Sequence, residues 1–176
     1  MNKSTLKTYA PQARRDFIDM VTSRAAQLGI AEHNGELKVE SSLVQGEVVV
    51  IAGQAFPVNI ERLRKKLLER IRQQGFSQTM EAIAYTWFNR FAALRYMELH
   101  EYLEHGQRVL SSVSVGGLPD ILTHALDLAE AGELPAISRD MVAELKLNNK
   151  DGELYKRLLV AQCNKLATAM PFLFEK

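Results

Sequence analysis

The feature that most constrains the fold of this chain is a long, predominantly apolar segment between Ser77 and His105. Its apolar side chains recur at helical spacing on more than one face; they are Met80, Ile83, Ala84, Trp87, Phe88, Phe91, Leu94 and Leu99. Ser77 is a favoured N-cap residue, so the pattern predicts a helix over about 78–103. Because a helix that is apolar on most sides must be buried, we expect it at the centre of the fold.

Shorter segments with helical periodicity flank this one, and most end at Gly or Pro. They predict helices over 11–28, 60–74, 118–131, 138–147 and 153–169. The β-branched run Val48–Ile51, followed by Ala52 and Gly53, predicts a hairpin. We therefore expect a mainly α fold, a helical bundle of five to six helices around the long central helix (about 78–103), with one small β-hairpin near 47–58.

Composition limits the domain organisation and the chemistry. With 176 residues, 47% of them hydrophobic, residues 1–176 are expected to form a single domain with one core. The one cysteine, Cys163, excludes an internal disulfide and a zinc site with several thiolates, and it suits a reducing cytoplasm. His100 and His105 lack the helical spacing of metal ligands, so no metal site is expected. We expect a cytoplasmic protein without a signal peptide or membrane span.

Positive charge is concentrated in the first part of the chain, although the net charge is only +1. Residues 1–75 contain 12 Lys/Arg and 8 Asp/Glu, whereas residues 76–176 contain 10 and 13. Six cations lie on the predicted helix 60–74 and are the candidate contacts to DNA phosphates: Arg62, Arg64, Lys65, Lys66, Arg70 and Arg72. Further cations precede them at Lys3, Lys7, Arg14 and Arg15. A solubilising outer face remains the alternative interpretation.

Other reactive side chains have simpler interpretations. Cys163 lies within a predicted helix without a neighbouring base, so we interpret it as a buried small hydrophobic residue. Glu98, Glu101 and Glu104 form a row that we expect to be solvated or paired with arginines. Arg90 and Arg95 lie within the apolar helix, where each must reach solvent, a carboxylate or a partner. We predict neither a catalytic nor a cofactor-binding residue in this chain.

Part of the central helix has a pattern that is shared with a known family. Residues Ala84–Glu98, which include Trp87–Phe91, together with Tyr102–Leu103 and Gly106–Ser111, resemble the N-terminal region of PglX. Glu153–Asn164 is similar to the segment before the catalytic domain of that family. PglX proteins are adenine-specific DNA methyltransferases of BREX phage-defence systems. The resemblance spans most of the chain.

The resemblance implies a larger parent enzyme that uses S-adenosylmethionine, contacts DNA, and carries its methyltransferase domain downstream of this helical module. Other BREX proteins are further candidate partners. The family's catalytic Asn-Pro-Pro-Tyr and its glycine-containing cofactor loop have no counterpart here, so this chain alone is not expected to be an enzyme.

The apolar end of the chain, Met170–Phe174, has two interpretations. It packs against another part of a larger protein, or it folds back onto its own core. The alternative function is a self-contained helical adaptor that binds a partner protein, with Phe172 and Phe174 or an exposed part of the aromatic helix as anchors.

Overall fold

The computed structural model describes residues 3–174, with side chains over residues 7–174. The described backbone forms eight helices and five short strands, so the predicted mainly α class is confirmed. The chain divides into two compact units, one ending at Phe88 and the other beginning at Asn89. The prediction of a single domain over 1–176 stays a prediction, because compactness alone does not define a cooperative folding unit.

The first unit combines helices with two small antiparallel sheets. Its elements are α1 (Lys3–Gln27), β1 (Ile30–His33), β2 (Glu36–Val39), β3 (Ser42–Gln45), β4 (Val48–Ile51), β5 (Gln54–Pro57), α2 (Asn59–Gln74) and the first half of α3 (Phe76–Leu99). Strands β1 and β2 form a hairpin, and β3, β4 and β5 form a meander. The buried residues of its core are Ala25, Ile30, Leu68, Ile71, Phe76 and Met80.

The predicted hairpin near 47–58 is present as β4 and β5, but β1, β2 and β3 were missed. These three strands are almost entirely solvent-exposed or half-exposed, so they lack the apolar alternation that identifies a strand. Turn residues gave the available signal: Asn34 and Gly35 join β1 to β2 with φ values of 53° and 80°. Two successive positive φ angles are typical of a two-residue hairpin turn.

The second unit is helical. It contains the end of α3, then α4 (Asp120–Thr123), α5 (Ala125–Glu130), α6 (Arg139–Leu147), α7 (Asp151–Ala169) and α8 (Pro171–Phe174). Helix α7 packs against α4, α6 and α8. Ser138 caps α6 as predicted, since its hydroxyl accepts the N–H of Met141 at 3.3 Å. The predicted helix 118–131 is divided at His124 into α4 and α5.

Helix α3 belongs to both units, and its bounds differ from the prediction. It starts at Phe76, so Ser77 lies inside the helix and is not its N-cap. It ends at Leu99, and Glu101 follows with a φ of 58°. Residues 101–119 contain no helix or strand. Among the described residues, no helix is both long and apolar enough to cross a membrane.

Candidate functional site

Helix α2 presents a basic face to solvent. Five of the six predicted cations are exposed on it: Arg62, Lys65, Lys66, Arg70 and Arg72. At about 100° per residue they span roughly 160° of the helix circumference. Glu69 is exposed within this arc. The Lys65 ammonium lies 3.6 Å from the Glu61 carboxylate, and Arg70 donates to Gln74 at 3.3 Å. We call these five cations the α2 basic face.

Arg64 does not belong to this face, and its prediction as a phosphate contact is wrong. The residue is only 4% exposed. Its Nε donates to the carbonyl oxygen of Leu28 at 2.7 Å, and a terminal nitrogen donates to the carbonyl oxygen of Glu40. Arg64 precedes the buried Leu68 and Ile71 by four and seven residues, so it lies on the inner stripe of α2. Leu63, one residue earlier on α2, is 49% exposed.

The other cations near the start of the chain add less free positive charge to the first unit than their number suggests. Lys7 and Arg15 are exposed, and Arg15 donates to Gln12 at 2.8 Å. Arg14 forms an ion pair with Glu81 at 2.9 Å, so its charge is partly neutralised. The side chain of Lys3 lies outside the described residues. Among the described side chains, α1 therefore carries three exposed cations without an ion pair, Lys7, Arg15 and Arg24, and Arg24 lies over the Phe56 ring at 5.6 Å.

The Glu98 carboxylate is buried and holds the segment that follows α3. One oxygen accepts the backbone N–H groups of Val109 and Leu110, each at 2.8 Å. The other accepts the hydroxyl of Ser111 at 3.0 Å and pairs with Arg95. The prediction that Glu98 pairs with Arg95 is confirmed, but this carboxylate is not part of a solvated row. These contacts make Glu98 a structural residue and not a free acid or base.

Arg90 and the end of the chain are joined within the second unit. Arg90 donates to the carbonyl oxygens of Leu173 and Phe174, at 3.4 and 3.2 Å. Phe174 is 1% exposed in the core, whereas Phe172 is 86% exposed. The end of the chain therefore folds back onto its own core. The proposed role of Phe174 as a partner anchor is wrong, and Phe172 remains available for it.

A cavity of about 760 Å³ lies beside α7 in the second unit, and we call it the α7 cavity. Its lining is largely apolar, with contributions from Leu103, Ala136, Ala161, Leu166, Ala169 and Met170. Gln162 also lines it, although only 2% of this residue is exposed. The Gln162 Oε1 lies 2.9 Å from His105 Nε2, while Gln107 N–H donates to His105 Nδ1 at 3.0 Å.

Charged and aromatic side chains surround this cavity. Lys165 forms ion pairs with Glu104 at 2.9 Å and with Glu133 at 3.0 Å. The bond from Lys165 lowers the pKa of Glu104, and the same bond raises the pKa of Lys165. Tyr102 lines the cavity and its ring stacks on His100 at 5.7 Å between centroids. Tyr96 lies 4.3 Å from His100, so three exposed rings cluster there.

A second cavity, of about 560 Å³, lies between α1 and α3 in the first unit. Phe17, Ile18, Tyr85 and Phe88 give it apolar walls, and the Arg14–Glu81 ion pair lies at its edge. The Phe17 and Phe88 rings meet edge to face at 5.8 Å. Apart from this exposed ion pair, the lining offers few groups for chemistry, so its features are those of a packing groove.

The described residues do not assemble a recognisable catalytic centre. Cys163 is 4% exposed, and burial raises the pKa of its thiol, which opposes formation of the reactive thiolate. No group of three or more His, Cys, Asp or Glu side chains within residues 7–174 is arranged to hold a metal ion. The second unit contains the largely apolar α7 cavity, and the first unit has the α2 basic face on its surface.

Comparison with known proteins shows which proteins the chain is related to. No protein-family model matches it. It is 44% identical over 177 aligned residues to the adenine-specific methyltransferase BrxX of Escherichia coli O9:H4 (strain HS), a match that covers 99% of this chain. It is 32% identical to the adenine-specific methyltransferase PglX of Lacticaseibacillus casei (strain Zhang), over 100% of this chain. The chain is related in sequence to these two adenine-specific methyltransferases. It spans only 14% and 16% of the length of these relatives.

The resemblance to PglX predicted from the sequence is thus confirmed, and the structure shows where the residues that carry it lie. Trp87 to Phe91 cross the boundary between the two units on α3. Arg95, Glu98 and Ser111 build the buried carboxylate site. In Glu153–Asn164, Leu154 and Leu158 are core residues of the second unit, and Gln162 lines the α7 cavity. Much of the pattern that resembles PglX therefore encodes folding, and Gln162 contributes to the lining of the α7 cavity.

Proposed function

We propose that this chain is a non-catalytic, N-terminal helical module of a site-specific DNA adenine methyltransferase of a BREX phage-defence system, and that it supports the catalytic domain. The observation that carries the proposal is the extent of the match to BrxX, which covers 99% of this chain but only 14% of BrxX. We call the full-length enzyme the parent enzyme. Its S-adenosylmethionine and catalytic residues would be held by the parts outside this module, in the cytoplasm.

The internal bonding of the module supports a scaffold role. The carboxylate of Glu98 and the guanidinium of Arg90 both bond to other segments of the second unit, so these ionic groups hold segments of the chain together. Arg64 does the same in the first unit. A direct test is methyl transfer from labelled S-adenosylmethionine to DNA by the purified 176-residue chain. The proposal expects none, and measurable transfer would overturn it.

We also propose that the α2 basic face contacts DNA phosphates in the parent enzyme. Its five cations are exposed, and they have one weak ion pair, between Lys65 and Glu61, among the described residues. Helix α2 carries no aromatic side chain, so it has no ring to stack on a base. The contact would therefore strengthen binding at any sequence without contributing to recognition of a site.

The test compares two triple variants of the parent enzyme that remove the same charge. Arg62→Ala, Lys66→Ala and Arg70→Ala together alter the face; Lys38→Ala, Lys150→Ala and Lys156→Ala alter exposed cations elsewhere. The first variant should weaken DNA binding and reduce the slope of log K against log salt by about 0.9 for each lost phosphate contact. Equal DNA affinity and equal salt slope in both variants would exclude the α2 basic face as a contact to DNA.

A second function, an adaptor that binds a separate protein, is favoured by exposed aromatic side chains. Tyr102 and Phe172 are 60% and 86% exposed, and aromatic residues are common anchors of interfaces. Other BREX proteins would be the natural partners. The two functions are distinguished by the coding frame after Lys176: an Asn-Pro-Pro-Tyr motif in that frame supports the methyltransferase module, and a stop codon supports the adaptor.

A further inference from the structure

The α7 cavity has a polar group whose orientation is fixed by the protein itself. The backbone N–H of Gln107 can only donate, so His105 Nδ1 accepts it, and a neutral His105 then carries its proton on Nε2. That proton is donated to Gln162, which must present its oxygen to His105. The amide nitrogen of Gln162 is left on the other side of the carboxamide, with no hydrogen-bond partner among the described residues.

A donor in this position can bond to an acceptor from outside the unit. Gln162 lines the cavity and is 2% exposed as a whole residue. Among the described residues, only Glu61 Oε2 is a fully buried side-chain atom without a partner, so the Gln162 N–H reaches the space of the cavity. The rest of the lining is mainly apolar, and a volume of about 760 Å³ is within the range of ligand sites. The complementary group is therefore apolar and carries a carbonyl oxygen.

The edge of the cavity adds an electrostatic preference. Glu104 and Glu133 share the single ammonium group of Lys165, so the three side chains together have one excess negative charge. Glu104 is the more accessible carboxylate, with 78% of its side chain exposed. A basic side chain on the bound group would complete this cluster, whereas a nucleic-acid phosphate would be repelled.

We propose that the α7 cavity is the docking site for a peptide segment of the parent enzyme's own remaining chain. The segment inserts an apolar side chain, carries a neighbouring Lys or Arg toward Glu104, and accepts the Gln162 amide N–H with a backbone carbonyl. Tyr102, which is 60% exposed at the cavity, covers the inserted side chain. This inference rests on the proposed function, which supplies the occupant: 84–86% of the length of the relatives lies outside the matched region.

Photocrosslinking in the intact parent enzyme tests the proposal. A benzophenone amino acid replaces Thr168, an exposed residue that lines the cavity, and in a control it replaces Lys156, an exposed residue of α7 outside the lining. The proposal expects position 168 to cross-link to one segment beyond residue 176 of the same chain, in at least about tenfold higher yield than position 156. If the Thr168 variant does not fold, Ala136 offers a second exposed position in the lining.

A conservative variant then tests the chemistry. Gln162→Glu keeps an acceptor for His105 but replaces the amide donor with an oxygen that repels a carbonyl, so the cross-link should fall severalfold. A cross-link to DNA, to a second protein molecule, or at equal yield from both positions would overturn the inference. Its failure is separable from that of the proposed function, since methylation measured in the same preparations still reports whether the module is needed.

Discussion

Glu98 accepts the backbone N–H of Val109 at 2.8 Å, and this bond joins the last turn of α3 to a segment that has no regular structure. The same oxygen accepts the N–H of Leu110. In a strand or helix, these backbone N–H groups would bond to backbone carbonyl oxygens. Here the Glu98 carboxylate accepts both of them instead. The path of the chain between α3 and α4 therefore depends on Glu98, together with Asp120 and Tyr155, which bond to Ser112 and Val109 in the same segment.

Replacing Glu98 should strongly reduce stability. Glu98→Ala leaves the buried Val109 N–H, the part-buried Leu110 N–H and the Arg95 guanidinium without this acceptor, and we expect a loss of about 3–5 kcal/mol in the free energy of unfolding. Glu98→Gln, which keeps one acceptor oxygen, should cost less. Urea denaturation measures both, with the exposed Glu144→Ala as control, expected within about 0.5 kcal/mol of wild type. Equal stability of Glu98→Ala and the control would contradict the assigned role.

Arg64 and its neighbour Lys65 should behave differently although both were candidate phosphate contacts. Arg64→Met removes the charged donors to Leu28 and Glu40, and we expect a cost of about 3 kcal/mol. Lys65→Met changes an exposed side chain and should alter stability by about 0.5 kcal/mol or less. Thermal unfolding of the two variants makes the comparison. A larger loss of stability in Lys65→Met than in Arg64→Met would contradict the burial of Arg64 and the exposure of Lys65.

Tyr155 should make stability depend on alkaline pH. Its hydroxyl donates to the carbonyl oxygen of Val109 at 3.0 Å, and burial, followed by the charge of Glu98, raises its pKa above the usual 10.0. In the unfolded chain the phenol ionises near pH 10, so the contribution of Tyr155 is complete below that pH and is lost as pH rises toward the folded-state pKa.

Urea unfolding of the wild type and of Tyr155→Phe between pH 8 and 11 measures this effect. The variant should lose about 1 kcal/mol at pH 8 through the missing hydrogen bond. The difference between the two proteins should then shrink at the alkaline end. A difference that stays constant or grows across this range would show that the phenol is not held neutral by the fold.

One tryptophan and one cysteine, in different units, test whether residues 1–176 unfold as one domain. Trp87 precedes the unit boundary and Cys163 follows it. Helix α3 runs through that boundary. If the two units form a single domain, unfolding of α3 in one unit should therefore propagate to the other. Trp87 fluorescence and the labelling of Cys163 by a thiol reagent should therefore give coincident urea transitions. Separated midpoints would show two domains.

The structure over residues 7–174 also shows which elements could be predicted from the sequence and which could not. The helices α2, α6 and α7 follow from apolar periodicity and from local signals such as Ser138 and Gly75, which act within a few residues. Arg64 was misassigned because its acceptors are 36 and 24 residues earlier, and such distant contacts leave no local pattern. Its position in the stripe of Leu68 and Ile71 was the signal that could have shown its burial.

The α7 cavity was missed for a related reason. Gln162 stands in a stripe with Leu154, Leu158 and Leu166, and a polar residue within an apolar stripe indicates either a buried hydrogen bond or a binding group. The sequence cannot show which, since the partner His105 lies 57 residues away. The early end of α3 at Leu99 depends likewise on the contacts of Glu98 with residues that follow the helix.

The central claim, that this chain is a supporting module and not the catalyst, is tested most directly by methyl transfer in the parent enzyme with and without residues 1–176. Labelled S-adenosylmethionine and a DNA substrate provide the assay, and circular dichroism confirms that the shortened enzyme is folded. We predict that the intact enzyme methylates adenine and that the folded, shortened enzyme has lost most of this activity. Undiminished methylation by the enzyme that lacks residues 1–176 would contradict the account.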